Sequence, residues 1–186
     1  LSVVVQRMIF PEVSGILFTA DPISGHRQII SIDASFGLGE ALVGGLVTPD
    51  LYKVDKRSHK VIEAKISDKE MAIRPKPEGG TYQEKLEGAA RQARVLTDKQ
   101  VLELARLGER IEAHYGKPQD IEWCLSNGEI YIVQARPITS LFPLPQPAPP
   151  ANDGMHIYFS FSHAQVMTDP MPPMAISLWN IIFPFG

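Results

Sequence analysis

Residues 119–137, QDIEWCLSNGEIYIVQARP, read as two strands of alternating apolar and polar residues joined at Ser126-Asn127-Gly128. Asn-Gly between alternating runs is a strong hairpin signal, because both residues tolerate the positive φ that a tight turn requires. Such a hairpin commits this part of the chain to an antiparallel sheet and fixes which side chains share a face. Asp120 and Glu122 sit two apart on the first strand and so point the same way. Gln134 and Arg136 are likewise two apart on the second.

Register decides whether the two pairs meet. Paired residues of an antiparallel hairpin share a face, and their numbers have a constant sum. A two-residue Asn127-Gly128 loop pairs Ser126 with Glu129, sets Glu122 against Val133 and turns Gln134 away. A three-residue loop, with Gly128 left-handed at a bulge, pairs Asp120 with Gln134 and Glu122 with Ile132. A shared site therefore predicts the odd-length loop, with the four polar tips around one pocket. Ile121, Trp123 and Val133 then face the other way, against a helix over 97–115. Two carboxylates, a carboxamide oxygen and a guanidinium on one face suit a magnesium–polyphosphate site. Mg²⁺ takes one or two protein carboxylates and fills its shell with phosphate oxygens and water, and arginine offers phosphate a bidentate fork. The same spacing also fits a surface hairpin with ordinary charges.

Upstream, residues 1–9 (LSVVVQRMI) are β-branched and apolar, the pattern of a buried strand. GILFTA (15–20) and QIISID (28–33) predict two more, separated by turns at Asp21-Pro22 and Ser24-Gly25. GLGEALVGG is a glycine-punctuated loop with room for a short helix from Glu40 to Val43. Residues 52–54 and 60–66 alternate as a half-exposed hairpin, and a helix is expected from about Glu84. Thr97 and Gln100 form a capping box for the next helix, whose face carries Val101, Leu104, Gly108, Ile111 and Tyr115 before Gly116 and Pro118 end it. From Phe142 to Ala151 five residues are proline, which predicts an extended interdomain linker.

Bulk properties narrow the function classes. The 186 residues carry a net charge of -3, which argues against a polyanionic partner. The nearest basic group, Lys53, Lys56, Arg57, Lys60 and Lys65, is interrupted by Asp55 and Glu63 and reads as solvated strand and turn positions, so no nucleic acid is expected. With Cys124 alone there is no intrachain disulfide, compatible with a reducing cytoplasm. No signal peptide opens the chain and no apolar run is long enough to span a bilayer, so neither a membrane nor export is expected. The chain starts at Leu1 and stops in an apolar stretch, and it reads as part of something longer.

DIEW followed by VQARP resembles the end of the ATP-grasp domain in phosphoenolpyruvate synthases, pyruvate phosphate dikinases and rifampicin phosphotransferases. VVVQRMI resembles that family's hinge strand, SGILFTADP its synthase and rifampicin versions, and GLGEALVGGLVTPD is similar to a further family signature. The resemblance implies an ATP and Mg²⁺ site in which Glu122 and Gln134 hold the metal. It also implies that Asp120 and Arg136 line the phosphates as catalytic residues, that the backbone of Gln6 to Met8 meets the adenine, and that Glu40 opens a helix near the nucleotide. A GxG turn alone, or a core strand at 1–9, would fit these segments without any ligand.

The expected fold class is α+β: an antiparallel sheet with helices on one side, forming the C-terminal half of an ATP-grasp domain over residues 1–142. A Pro-rich linker (143–154) and an incomplete substrate-binding-like domain (155–186) follow. MHIYFSFSHAQVMTDPMPPMAISLW resembles the start of the substrate domain of rifampicin phosphotransferases. Ser162-His163-Ala164 lacks the glycine-threonine context of the family's phosphorylated histidine and is read as a packed or substrate-domain histidine. The resemblance implies transfer of the β-phosphoryl of ATP through a swivelling histidine to a small-molecule acceptor, releasing AMP and phosphate. A rifamycin is favoured over pyruvate as acceptor. The partners implied are an N-terminal ATP-grasp lobe and a swivelling histidine domain, both absent from these residues. A non-catalytic nucleotide-binding remnant is the reading from a different class.

Overall fold

The structure, a computed structural model, describes residues 3–45 and 47–141, apart from the side chains of Ala41 and Val43. The expected linker (143–154) and following unit (155–186), with His156 and His163, lie outside the described residues. Strands β1 (Val13–Phe18), β2 (Ile29–Phe36), β3 (Asp50–Asp55), β4 (Lys60–Lys65), β7 (Gln119–Ser126) and β8 (Glu129–Pro137) form one six-stranded sheet in the order β4-β3-β2-β1-β7-β8. Every neighbouring pair in it is antiparallel. Strands β5 (Met71–Pro75) and β6 (Thr81–Lys85) pair as a separate two-stranded sheet. Helix α1 spans Glu40–Val43 and helix α2 spans Asp98–Tyr115. The architecture is α+β, as the alternation in the sequence predicts.

Strand β2 shows how the pattern builds the sheet. In IISIDASF, Ile30, Ile32 and Ala34 are buried in the core, while Ser31, Asp33 and Ser35 alternate onto the opposite face. The core face also collects Val13 and Leu17 of β1, Tyr52 and Val54 of β3, and Ile121, Trp123 and Leu125 of β7. Helix α2 covers it with Val101, Leu104 and Ala105, so one sheet face is closed by a helix and the other stays open to carry a site. Thr97 caps α2 as expected: its Oγ1 accepts from Gln100 N at 3.3 Å, and Gln100 Oε1 accepts from Thr97 N at 2.9 Å. Left-handed Gly116 ends the helix.

A buried polar cluster ties β3 to the approach of α2. The Lys69 ammonium, fully buried, donates to Asp50 Oδ1 at 2.5 Å. Asp50 Oδ2 accepts from Val95 N at 2.9 Å and from the Tyr52 hydroxyl at 3.1 Å. Each buried polar atom in it thus has a partner, the condition under which burial is tolerated. Outside the core, Lys53 pairs with Asp21 and Glu63, and Lys56 with Glu112, so these basic residues are neutralised within the chain.

Four expectations need correction. Residues 3–9 are neither strand nor buried: Val3, Val4 and Val5 are 86%, 84% and 94% exposed. The segment reaches edge strand β8 through the Gln6 side chain on the Val133 carbonyl, at 3.4 Å, where the register shift interrupts the regular ladder. The helix from Glu84 is absent; Thr81–Lys85 pairs with Met71–Pro75, and Gly88, at φ 56, leads into a short 3-10 turn, Gly88–Gln92. The hairpin loop between β7 and β8 has two residues, not three: Ser126 pairs with Glu129, and Asn127 (φ 52) and Gly128 (φ 76) make the type I′ turn. Val133 does not pack against α2; it is 43% exposed at a register shift.

That shift rescues the face. Trp123 pairs with Ile132 but Glu122 pairs with Gln134, so Val133 is an extra residue in β8, a β-bulge. Beyond it Asp120 pairs with Arg136. The parity change expected of the loop is made inside the strand, and the expected pairs Asp120–Gln134 and Glu122–Ile132 do not form.

Candidate nucleotide site

Two cross-strand rows cross the open face of the sheet. Asp33, Ile16, Glu122 and Gln134 are successive partners on β2, β1, β7 and β8. Ser31, Phe18, Asp120 and Arg136 form the neighbouring row. Direct partners share a face, so the four residues singled out from the hairpin, Asp120, Glu122, Gln134 and Arg136, stand on the side of the sheet away from α2.

A cavity of ≈ 610 Å³ opens on this face. Gln6, Met8 and Ile9 wall it from the N-terminal segment, Ser14 and Ile16 from β1, Leu38, Gly39, Glu40 and Leu42 from the glycine loop and α1, and Glu122 and Cys124 from β7. Its size and mixed lining suit a small molecule with an apolar body and a few polar groups. The Gln6 side chain donates to the Val133 carbonyl at 3.4 Å, so the bulge also anchors the N-terminal wall. Burial pushes the Cys124 thiol up, in keeping with a small apolar strand residue.

Asp120 and Arg136 line a second, smaller hollow of ≈ 190 Å³ with Phe18, Thr139 and Ser140. The single pocket expected for all four residues is therefore replaced by two hollows on one face. Arg136 Nε donates to Asp120 Oδ2 at 2.9 Å, which orients the guanidinium. Its two terminal nitrogens have no protein acceptor among the described residues, and its side chain is 66% exposed. They are free to form the bidentate fork that phosphate accepts. The side chains of Glu122 and Gln134 also have no hydrogen-bond or ion-pair partner among the described residues.

The donor chemistry can be tested against a cation. Among the described residues no three His, Cys, Asp or Glu gather as an all-protein metal cage. Glu122 and Gln134 offer one carboxylate and one carboxamide oxygen from facing positions. A pair of hard oxygens fits Mg²⁺ bound mainly through phosphate and water, and does not fit a softer, fully caged metal.

Asp33 was not singled out from the sequence. It lies on the same row as Glu122, is half-buried without a hydrogen-bond partner among the described residues, and burial pushes its carboxyl up. The signal was present in the alternation of Ser31, Asp33 and Ser35 with Ile30, Ile32 and Ala34.

An antiparallel sheet closed by a helix on one face, with a cavity and unpaired oxygen ligands on the other, defines a small-molecule-binding α+β domain. Residues 1–151 match the family model described as pyruvate phosphate dikinase, AMP/ATP-binding domain, and the chain belongs to that family. It is 53% identical to a rifampicin phosphotransferase of Bacillus subtilis (strain 168), over 96% of this chain and 20% of that protein. A rifampicin phosphotransferase of Streptomyces sviceus is 51% identical over 97% of this chain and 20% of its own length. A probable phosphoenolpyruvate synthase of Archaeoglobus fulgidus is 49% identical over 76% of this chain and 18% of its own length. The chain thus spans about a fifth of these relatives.

Proposed function

We propose that this chain is the ATP-binding part of a dikinase-type phosphotransferase and that its open sheet face holds magnesium-ATP. The observation that carries the reading is the bulge at Val133, which brings Glu122 opposite Gln134 and Asp120 opposite Arg136 on one face beside a ligand-sized cavity. The backbone of Gln6 to Met8 borders the cavity and recognises the adenine edge, with Glu40 on the facing wall. Glu122 and Gln134 hold Mg²⁺, and Arg136, aimed by Asp120, grips the phosphates. Magnesium, when bound, neutralises charge on the polyphosphate oxygens. Phosphoryl transfer is dominated by positioning and charge stabilisation. The roles of these side chains are accordingly to fix the polyphosphate and balance its charge.

The acceptor favoured is a rifamycin. The supporting observation is that the match to the rifampicin phosphotransferases extends over 96–97% of the chain, while that to the phosphoenolpyruvate synthases stops at 76%. Pyruvate is the second reading. To separate them, AMP release from ATP is followed with each acceptor in the full-length protein, and the nucleotide reading is tested apart from the acceptor by placing the chain in the Bacillus subtilis relative in place of the segment it matches. Rifampicin-dependent AMP formation supports the first reading, pyruvate-dependent formation the second. An active parent enzyme whose hybrid folds but forms AMP with neither supports the remnant.

A further inference from the structure

The β5–β6 hairpin supplies no residue to either hollow described above, yet it grips the loop that walls the larger one. Gly37 and Ile73 form an isolated parallel bridge, in which Leu38 N donates to the Ile73 carbonyl at 2.8 Å. Gly37 holds φ 81, and a Cβ there would lie 2.1 Å from the Ile73 oxygen, so the contact requires glycine. From the other side, Gly37 N donates to the Glu12 carbonyl at 2.8 Å. Arg74 Nη1 donates to that same carbonyl at 3.1 Å, while its Nε is aimed by Glu84 Oε2 at 2.8 Å. One carbonyl thus collects the loop and the hairpin at the point where the chain enters β1. The three residues that follow Gly37 (Leu38, Gly39 and Glu40) are cavity wall.

We propose that the β5–β6 hairpin is a positioning element for the nucleotide cavity, acting through Arg74, which locks the glycine loop to the Glu12 carbonyl. The proposal rests on the reading of the cavity as a nucleotide site and deepens it. Arg74 touches no ligand in this scheme. It fixes the wall that does, and its ion pair with Glu84 keeps the guanidinium in place when the cavity is empty.

The test reads amide hydrogen exchange residue by residue in the 186-residue chain, and magnesium-ATP affinity in the Bacillus subtilis hybrid described above, which supplies the rest of the protein. Arg74→Ala should speed exchange of the Gly37 and Leu38 amides while the β1, β2 and β7 ladder amides keep their rates, since only a local opening is made easier. Affinity for magnesium-ATP should fall about tenfold, the scale of one lost positioning hydrogen bond. Arg74→Lys, which keeps one donor, should restore part of both effects. Glu84→Gln, a milder change at a surface position, should shift both in the direction of Arg74→Ala. Unchanged exchange at Gly37 and Leu38 in Arg74→Ala would overturn the proposal, and so would faster exchange with unchanged affinity. Uniformly faster exchange through the main sheet would reduce Arg74 to a general stabilising residue and overturn it as well. If the unsubstituted hybrid binds no magnesium-ATP while the parent enzyme does, the nucleotide reading itself falls and takes the proposal with it. The exchange data, which involve no nucleotide, tell that failure apart from the others.

Discussion

Burial lifts the Asp33 carboxyl above its ordinary range, and no hydrogen-bond donor reaches it among the described residues. The folded state therefore binds this proton more tightly than the unfolded state. Stability from this group is fully present below its unfolded pKa of about 4 and is lost as pH rises through the raised folded value. Asp33→Asn removes the ionisation, so the variant should melt higher than the parent at pH 7, and the gap should close as the pH approaches 4. Melting curves across that range check the sign; parallel pH profiles for the two proteins would contradict it. The unpartnered Glu122 and Gln134 belong to the same scale. Side chains left without protein partners at facing positions are available to a ligand, which is why the site reading rests on them.

At the scale of elements, α2 and the buried cluster before it make separable predictions. Thr97→Ala removes the cap of α2 and should cost about 1 kcal/mol in denaturant unfolding. Lys69→Met leaves the Asp50 carboxylate buried without its cation and should cost about 3–5 kcal/mol, because a broken buried pair is worse than none. Replacing both, as Asp50→Asn with Lys69→Met, should recover part of the loss; a double variant as unstable as the sum of the singles would show that the pair is not coupled. Element type was legible where local chemistry dictates it: the Thr97–Gln100 box, the Asn127-Gly128 turn, and the alternation of β2 and β7. Two things were not. The run at 3–9 has strand propensity but meets edge strand β8 at its bulge, through the Gln6 side chain on the Val133 carbonyl rather than through a backbone ladder, and pairing is a property of the sheet rather than of the run. The bulge at Val133 has no signature in IYIVQ, since any residue there can be the unpaired one. The shared face of the four site residues could therefore be anticipated, but the way the chain reaches it could not.

At the largest scale described, residues 3–141 build a main sheet with one face covered by α2 and the other presenting a cavity walled by the N-terminal segment, the glycine loop and β7. On the proposed reading, the chain alone should release no AMP from ATP, because it spans about a fifth of the phosphotransferases it matches and phosphoryl transfer depends on complete positioning of phosphates and acceptor. AMP formed by the purified chain would contradict that division of labour. The central claim is that the β7–β8 hairpin holds magnesium-ATP through Glu122 and Gln134. It is tested most directly by AMP release in the Bacillus subtilis hybrid carrying Glu122→Ala or Gln134→Ala, with circular dichroism to verify folding. Losing a ligand that balances charge on the transferring phosphates should lower turnover by about 100-fold or more in each variant. Turnover within about threefold of the unsubstituted hybrid in both, a change of less than 1 kcal/mol, would contradict the account.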